Sequence, residues 1–286
     1  MKKKLHIAVQ KSGRLHDESL KLLNDCGISI DNGKDQLKAV ARNFPLEIFY
    51  LRNGDIPQYL RDGVVDIAII GENLLFEKGD DISIKEKLGF SKCRVSIAIP
   101  KEDNYKGIES LTGKKIATSY PNTVKGFLRE NGIDAELHII NGSVEIAPNI
   151  GLSDAVCDIV SSGSTLFKNN LKEVEVLFKS EAVLAASSTL DAEKNEILKK
   201  LQFRIQSVLK GRQSKYILMN VPNDSIDRIS SILPVLKSPT VLPLAEPGWS
   251  SLHSVINEGK FWEVIDELKA AGAQDILVCP VEKMVL

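Results

Sequence analysis

Short apolar runs alternate along this chain with stretches in which apolar positions recur every three or four residues. Leu5–Val9 is apolar and brief, as a buried strand is, and Arg14–Cys26 carries Leu15, Leu20, Leu22 and Leu23 at helical spacings before Gly27. Leu46–Leu51 and Asp66–Ile70 repeat the strand pattern. Between them a helix opens at Asp55, with Pro57 inside the first turn, where a missing N–H is tolerated. From Cys93 the rhythm restarts: strands Val95–Ile99 and Lys115–Thr118, helix Asn122–Glu130, strand Leu137–Ile140, a helical turn from Val144 and strand Val156–Val160. This alternation predicts mainly parallel sheets covered by helices. Val174–Phe178 and Ala182–Ala186 are apolar runs suited to carrying the chain back to the first α/β unit. A long helix follows over Ala192–Leu209, with Ile197, Leu198, Leu201, Ile205, Val208 and Leu209 on one side, and Gly211-Arg-Gln-Ser214 reads as a linker.

The last stretch has a different order. Tyr216–Val221 is a strand, Asp224–Leu236 a helix, and Thr240–Leu244 and Leu252–Ile256 are strands. Phe261–Ala270 is a helix and Ile276–Cys279 a final strand. That is βαββαβ, the ferredoxin-like split motif. The expected organisation is a bilobal α/β core followed by a small tail: residues 1–92 with 179–212 form one lobe, 93–178 the other, and 213–286 the tail. Small domains of this type commonly bind amino acids or pair with copies of themselves, and the fold alone decides neither.

Composition narrows the field. The chain has 286 residues, more than one core usually holds, with 43% hydrophobic and 26% charged residues, as in soluble globular proteins. A net charge of −1 supplies no global field for nucleic acid, so a polyanionic ligand must be met by local basic residues. No apolar run approaches the roughly 20 residues of a membrane span. The apolar run after Met1-Lys-Lys-Lys4 is too short for a signal-peptide core, which argues against an exported receptor. Cys26, Cys93, Cys157 and Cys279 are scattered without CxxC spacing and read as reduced thiols of a cytoplasmic protein. His6, His16, His138 and His253 are too dispersed to suggest a metal cluster.

The most informative segment is Asp158-Ile-Val-Ser-Ser-Gly-Ser-Thr165. An apolar strand ends there in small residues. Ser161, Ser162, Ser164 and Thr165 bring hydroxyl donors, and Gly163 permits a turn with positive φ. Successive N–H groups in such a turn cradle a phosphate, and Asp158 just before it can accept hydrogen bonds from a ribose diol. An ordinary strand-to-helix turn with a hydroxyl N-cap reads equally well from these residues. Other candidates also follow strands. Lys11 and Arg14, around Ser12 and Gly13, can clamp phosphates or simply face solvent, and Arg52 and Arg94 can be surface residues or line a basic cleft. Glu72 and Asn73 can cap a helix or bind a nucleotide. Tyr120 can stack on a base or be a buried aromatic, and Glu145 can cap a turn or reach the cleft.

The Asp158–Thr165 segment resembles the phosphoribosyl-diphosphate loop of the ATP phosphoribosyltransferase family. Gln10–Leu15, Asp55–Asn73, Cys93-Arg94, Ala117–Pro121 and Asn141–Pro148 resemble further motifs of that family, in order. Ser238-Pro-Thr240 and Ala270–Ala273 resemble the regulatory domain of its long form. The resemblance implies a core like type II periplasmic binding proteins and a Mg²⁺-dependent reaction. ATP and 5-phosphoribosyl 1-diphosphate form N1-(5-phosphoribosyl)-ATP and pyrophosphate, the first step of histidine biosynthesis. It also implies dimers and hexamers, and feedback inhibition by histidine.

It further implies roles. Asp158 and Arg14 are catalytic. Asp158, Ser161, Ser162, Gly163, Ser164 and Thr165 bind phosphoribosyl diphosphate. Lys11, Gly13, Arg14, Arg52, Glu72, Asn73, Arg94 and Tyr120 bind ATP or pyrophosphate, and Thr240, Ala271, Gly272 and Ala273 bind histidine. The metal is carried by substrate phosphates. Simpler phosphoribosyltransferases usually pair two acids in the loop; here Val156-Cys157 precedes a single Asp158, which leaves the second ribose contact unassigned. The competing reading is a two-lobed small-molecule binding or sensor protein without catalysis.

Overall fold

The computed structural model describes residues 3–31, 36–79, 81–233 and 238–285. The chain runs through β1 (Leu5–Gln10), α1 (Arg14–Asp25), β2 (Lys38–Val40), β3 (Leu46–Leu51), α2 (Ile56–Arg61), β4 (Ile67–Gly71), α3 (Glu72–Lys78) and β5 (Ser83–Lys87). It continues through β6 (Cys93–Pro100), β7 (Lys115–Thr118), α4 (Pro121–Glu130), β8 (Glu136–Ile139), β9 (Ala155–Val160), α5 (Ser164–Lys168) and β10 (Leu171–Ser180). Then come β11 (Ala182–Ala186) and α6 (Ala192–Arg212). The first sheet has the order β2-β3-β1-β4-β11-β5 and the second β10-β6-β9-β7-β8, so β11 does return to the first lobe.

Both sheets are mixed rather than mainly parallel. β1 pairs in parallel with β3 and β4, but β11 is antiparallel to β4 and β5. In the second sheet β7 is parallel to β8 and β9, while β6 is antiparallel to β9 and β10. Apolar periodicity marks a strand but carries no direction, so the returning strands were not distinguishable from crossover-linked ones. Edge strands β2 and β5 were missed because Lys38-Ala-Val40 is very short and Ser83-Ile-Lys-Glu-Lys87 is mostly exposed and charged, a composition that discourages pairing with other chains.

Strand alternation sorts the second lobe's core into two clusters. Val95, Ile97, Ile99, Ala155 and Cys157 pack on one face. Ala98, Ala117, Val156, Val160 and Leu166 pack in another cluster. Asp158 has the parity of Val156 and Val160 and so shares their face.

One buried carboxylate joins the two lobes. Glu77 of α3, 5% exposed, accepts from the Asn122 N–H at 3.0 Å and from the Thr123 N–H and Oγ1, each at 2.9 Å. It thus caps the N-terminus of α4, where unpaired N–H groups and the helix dipole favour an anion. The Phe76 and Phe178 rings meet edge to face 4.8 Å apart beside it.

By its contacts the chain forms two compact units, Met1–Lys21 with Ile28–Leu198, and Leu22–Gly27 with Lys199–Leu286. In the second unit the expected linker is absent. α6 continues through Gly211 to Arg212, and β12 (Ser214–Pro222) starts two residues later. Gly211 is required by proximity: a Cβ there would lie 2.8 Å from the backbone of Glu282 and Lys283. α7 (Ile226–Ile232), β13 (Thr240–Pro243), β14 (Trp249–Asn257), α8 (Glu258–Ala270) and β15 (Gln274–Pro280) complete the βαββαβ order. The sheet order β13-β14-β12-β15, antiparallel throughout, is the ferredoxin-like arrangement. The expected helix end at Leu236 lies outside the described residues.

Replacing Glu77 by Ala removes the acceptor of the first N–H groups of α4, which are only partly buried. Thermal or urea unfolding should show a loss of about 1–3 kcal/mol, with Glu77→Gln retaining part of it.

Candidate active site

The end of β9 and the start of α5 enclose a cavity of about 140 Å³ lined by Asp158, Ser161, Ser162, Gly163 and Thr165, with Glu145, Val156, Ile159, Val160 and Leu166. Gly163 has φ +78°, the left-handed conformation expected of it, and its carbonyl accepts the Phe167 N–H at 3.0 Å as α5 begins. Ser164 alone of the expected loop residues does not line the cavity. Its Oγ lies 3.0 Å from Ser162 Oγ, so its hydroxyl closes the turn internally.

Burial, with the Glu145 charge as a smaller cause, raises the Asp158 pKa above the usual carboxylate range. The Ile159 N–H, donating to Asp158 Oδ1 at 2.7 Å, partly offsets this. Glu145 lines the cavity, and no side-chain cap was found for the turn at Val144–Ile146. Directly across from Asp158 in the β6–β9 register is Ser96, 1% exposed, whose Oγ has no hydrogen-bond partner.

The basic candidates gather at the carboxyl ends of the first lobe's strands. The Gln10–Leu51 register and the Lys11 N–H bond to the Leu51 carbonyl (2.8 Å) set Lys11 beside Arg52. Both are exposed and neither makes an ion pair with a described residue. Gly13 has φ +91°, and Arg14 is exposed and pairs with Glu18 at 3.4 Å. Ser91 Oγ also donates to Glu18.

The remaining candidates are held by protein partners. Glu72 pairs with Lys87 at 3.1 Å. Asn73, 4% exposed, donates its N–H to Ser180 Oγ (2.9 Å), accepts from that hydroxyl at Oδ1 (3.1 Å) and donates from Nδ2 to Tyr120 Oη (3.0 Å). Tyr120 is 8% exposed, so its ring is packed rather than presented for stacking. Burial, with Asp158 nearby, pushes its phenol pKa strongly upward and keeps it protonated. Thr118 Oγ1 bridges the strands, donating to the Cys157 carbonyl at 2.8 Å and accepting from the Tyr120 N–H at 2.9 Å. Arg94 is drawn to Glu173 and to the loop instead of standing free. Sequence reading missed Glu77, Glu173 and Ser180. Each acts on a residue distant in the chain, and no local spacing marks such a contact.

In the tail, Ala271 and Ala273 are 5% and 6% exposed and belong to the core; Ala271 is the C-cap of α8, and Gly272, with φ +102°, is the left-handed residue that follows it. Thr240 is exposed on β13. β13 and the β15 that follows Ala273 are opposite edges of the sheet, so the expected histidine-binding group is not brought together within one chain.

At the level of fold, the L-arginine-bound Tv2483 superposes with a TM-score of 0.50 at 13% identity, over 72% of this chain and 84% of that one. The ATP phosphoribosyl transferase (HisG:HisZ) complex from Thermotoga maritima gives a TM-score of 0.60 at 29% identity, over 71% of this chain and 98% of that one. The core therefore has the bilobal, periplasmic-binding-protein-like architecture expected. Residues 52–207 match the family described as HisG: ATP phosphoribosyltransferase, and residues 211–283 match HisG, C-terminal domain. The ATP phosphoribosyltransferase of Cytophaga hutchinsonii is 57% identical over 281 residues, 98% of each chain. This chain belongs to the ATP phosphoribosyltransferase family, in the long form that carries the C-terminal domain, and is a pentosyltransferase of the first step of histidine biosynthesis. The reading as a binding protein without catalysis is set aside.

If Asp158 must be ionised to accept from a diol, kcat/KM for phosphoribosyl diphosphate falls as pH drops through its folded pKa. Because burial raises that pKa, the acid limb should begin above the ordinary carboxylate range. Asp158→Asn should lose about 10²-fold in rate and lack that limb.

Proposed function

We propose that the cavity at the end of β9 takes the ribose 5-phosphate half of phosphoribosyl diphosphate. The phosphate lies on the N–H groups and hydroxyls of Ser161–Thr165, and the diol on Asp158. The observation that carries this reading is the cavity itself, which combines a left-handed glycine, hydroxyl side chains and one carboxylate. ATP and the departing pyrophosphate meet Lys11, Gly13, Arg14 and Arg52, the exposed basic group at the first lobe's strand ends. Glu72, Asn73 and Tyr120 hold the surrounding walls in place.

The reaction joins N1 of adenine to C1 of the ribose and releases pyrophosphate. N1 has a free lone pair, so no strong base is required. The barrier lies in breaking the C1–O bond, which positioning and electrostatic stabilisation lower. Arg14 faces the growing negative charge of the leaving group. Asp158 holds the sugar while positive charge develops on it. No cluster of three or more His, Cys, Asp or Glu suited to a metal occurs among the described residues. Mg²⁺, which takes phosphate oxygens and water, would be held by the substrate phosphates and would neutralise pyrophosphate charge when bound.

Histidine is proposed to inhibit through the tail, in a pocket made by Thr240 of one copy and Ala271–Ala273 of another. The separation of these residues within one chain and the exposed apolar Val241, Leu242, Leu277 and Val278 on the two edge strands support a dimer or hexamer. A cytoplasmic location is supported by four free cysteines. No helix of the described residues is long and apolar enough to cross a membrane.

With full-length protein, pyrophosphate should be released only when ATP, phosphoribosyl diphosphate and Mg²⁺ are all present. Histidine should weaken substrate affinity about 5–150-fold. Thr240→Phe should abolish that response and spare the uninhibited rate. Full inhibition of the variant would move the histidine pocket elsewhere.

A further inference from the structure

Arg94 and Glu173 stand outside the cavity yet grip its wall. The Arg94 guanidinium forks onto Glu173, Nε donating to Oε1 and Nη2 to Oε2, each at 2.5 Å. The remaining Nη1 donates to the Ser161 carbonyl oxygen at 3.2 Å. Neither side chain lines the cavity, whereas Ser161 and Ser162 do. The contact is built into the sheet: β6 lies between β9, which leads into the loop, and β10, which carries Glu173. Hydrogen bonding to Arg94 holds the Glu173 carboxyl below the usual carboxylate range.

A trans peptide points its carbonyl and the following N–H in opposite directions. A charged donor on the Ser161 carbonyl therefore fixes the Ser162 N–H facing away from Arg94. Cradles of this kind work by having such N–H groups oriented before the anion arrives. We propose that Glu173, acting through Arg94, is a positioning residue that fixes the Ser161–Ser162 peptide for the sugar phosphate. This rests on the reading that the loop holds that phosphate. It also reassigns Arg94 from a direct polyphosphate clamp to a support of the loop.

The two roles predict opposite signs. With its charge matched by Glu173, Arg94 adds little net attraction for an anion. If Arg94 were a direct clamp, removing the Glu173 charge would free it and tighten binding. If the pair positions the loop, the same change weakens binding. Glu173→Gln keeps the shape, and steady-state kinetics should show the KM for phosphoribosyl diphosphate raised about tenfold, with kcat and the KM for ATP within about twofold. Arg94→Lys keeps the positive charge but cannot hold Glu173 and the Ser161 carbonyl together, so it should give the same selective rise. It carries the test if the first variant does not fold. A fall or no change in that KM, or an equal effect on both substrates, overturns the proposal. Gly163→Val separates the two levels. If it leaves phosphoribosyl diphosphate binding intact, the loop reading itself fails. If it abolishes binding while the Glu173 and Arg94 variants behave as wild type, only the positioning role fails.

Discussion

The first unit depends on a carboxylate held at a helix end. Glu77 leaves α3 of the first lobe and caps α4 of the second, replacing the water that α4's first N–H groups would otherwise bind. Burying an ionised carboxylate is costly unless nearly all of its hydrogen-bonding capacity is used. Here two N–H groups, a hydroxyl and the helix dipole converge on it, so the register between α3 and α4 has little freedom. That register carries Asn73 to Tyr120, and Tyr120 in turn sits within electrostatic reach of Asp158. The strand ends of the two lobes are thereby held together without any residue of the Ser161–Thr165 turn taking part.

The second constraint is the parity of β9. Val156, Asp158 and Val160 face one way and Cys157 the other. An acid at an even position of this strand is therefore delivered to the face where α5 begins, and the left-handed turn at Gly163 lets the chain bend over it. Arg94 and Glu173 approach that same turn from the neighbouring strands. A phosphate cradle needs N–H groups that do not reorganise as charge arrives, and a loop pinned by a charged donor on its own carbonyl meets that need better than one fixed by small residues alone.

Much of this was legible in the chain. The strand-to-helix rhythm, the βαββαβ tail and the Asp158–Thr165 turn rest on short-range patterns, which sequence records directly. Strand direction does not. Nothing in Ala182–Ala186 distinguishes an antiparallel return from a parallel crossover, so the sheets proved mixed. Gly211 read as a linker because glycine usually interrupts helices, whereas here it makes room for the Glu282–Lys283 backbone. Arg94, Asn73 and Tyr120 stood out by residue type, but Arg94's partner Glu173 and Asn73's partners Ser180 and Tyr120 lie far along the chain, and no local signature marks these pairings. Thr240 and Ala271–Ala273 were grouped by motif, and strand order separates them to opposite edges.

The most direct measurement is a crystal structure of the full-length protein with phosphoribosyl diphosphate and Mg²⁺ bound. The 5-phosphate should rest on the N–H groups between Ser162 and Thr165, both ribose hydroxyls should donate to Asp158, and Arg94 should remain forked onto Glu173. A 5-phosphate seated on Lys11 and Arg52 with the loop at Gly163 vacant would contradict the assignment of the cavity to the sugar phosphate.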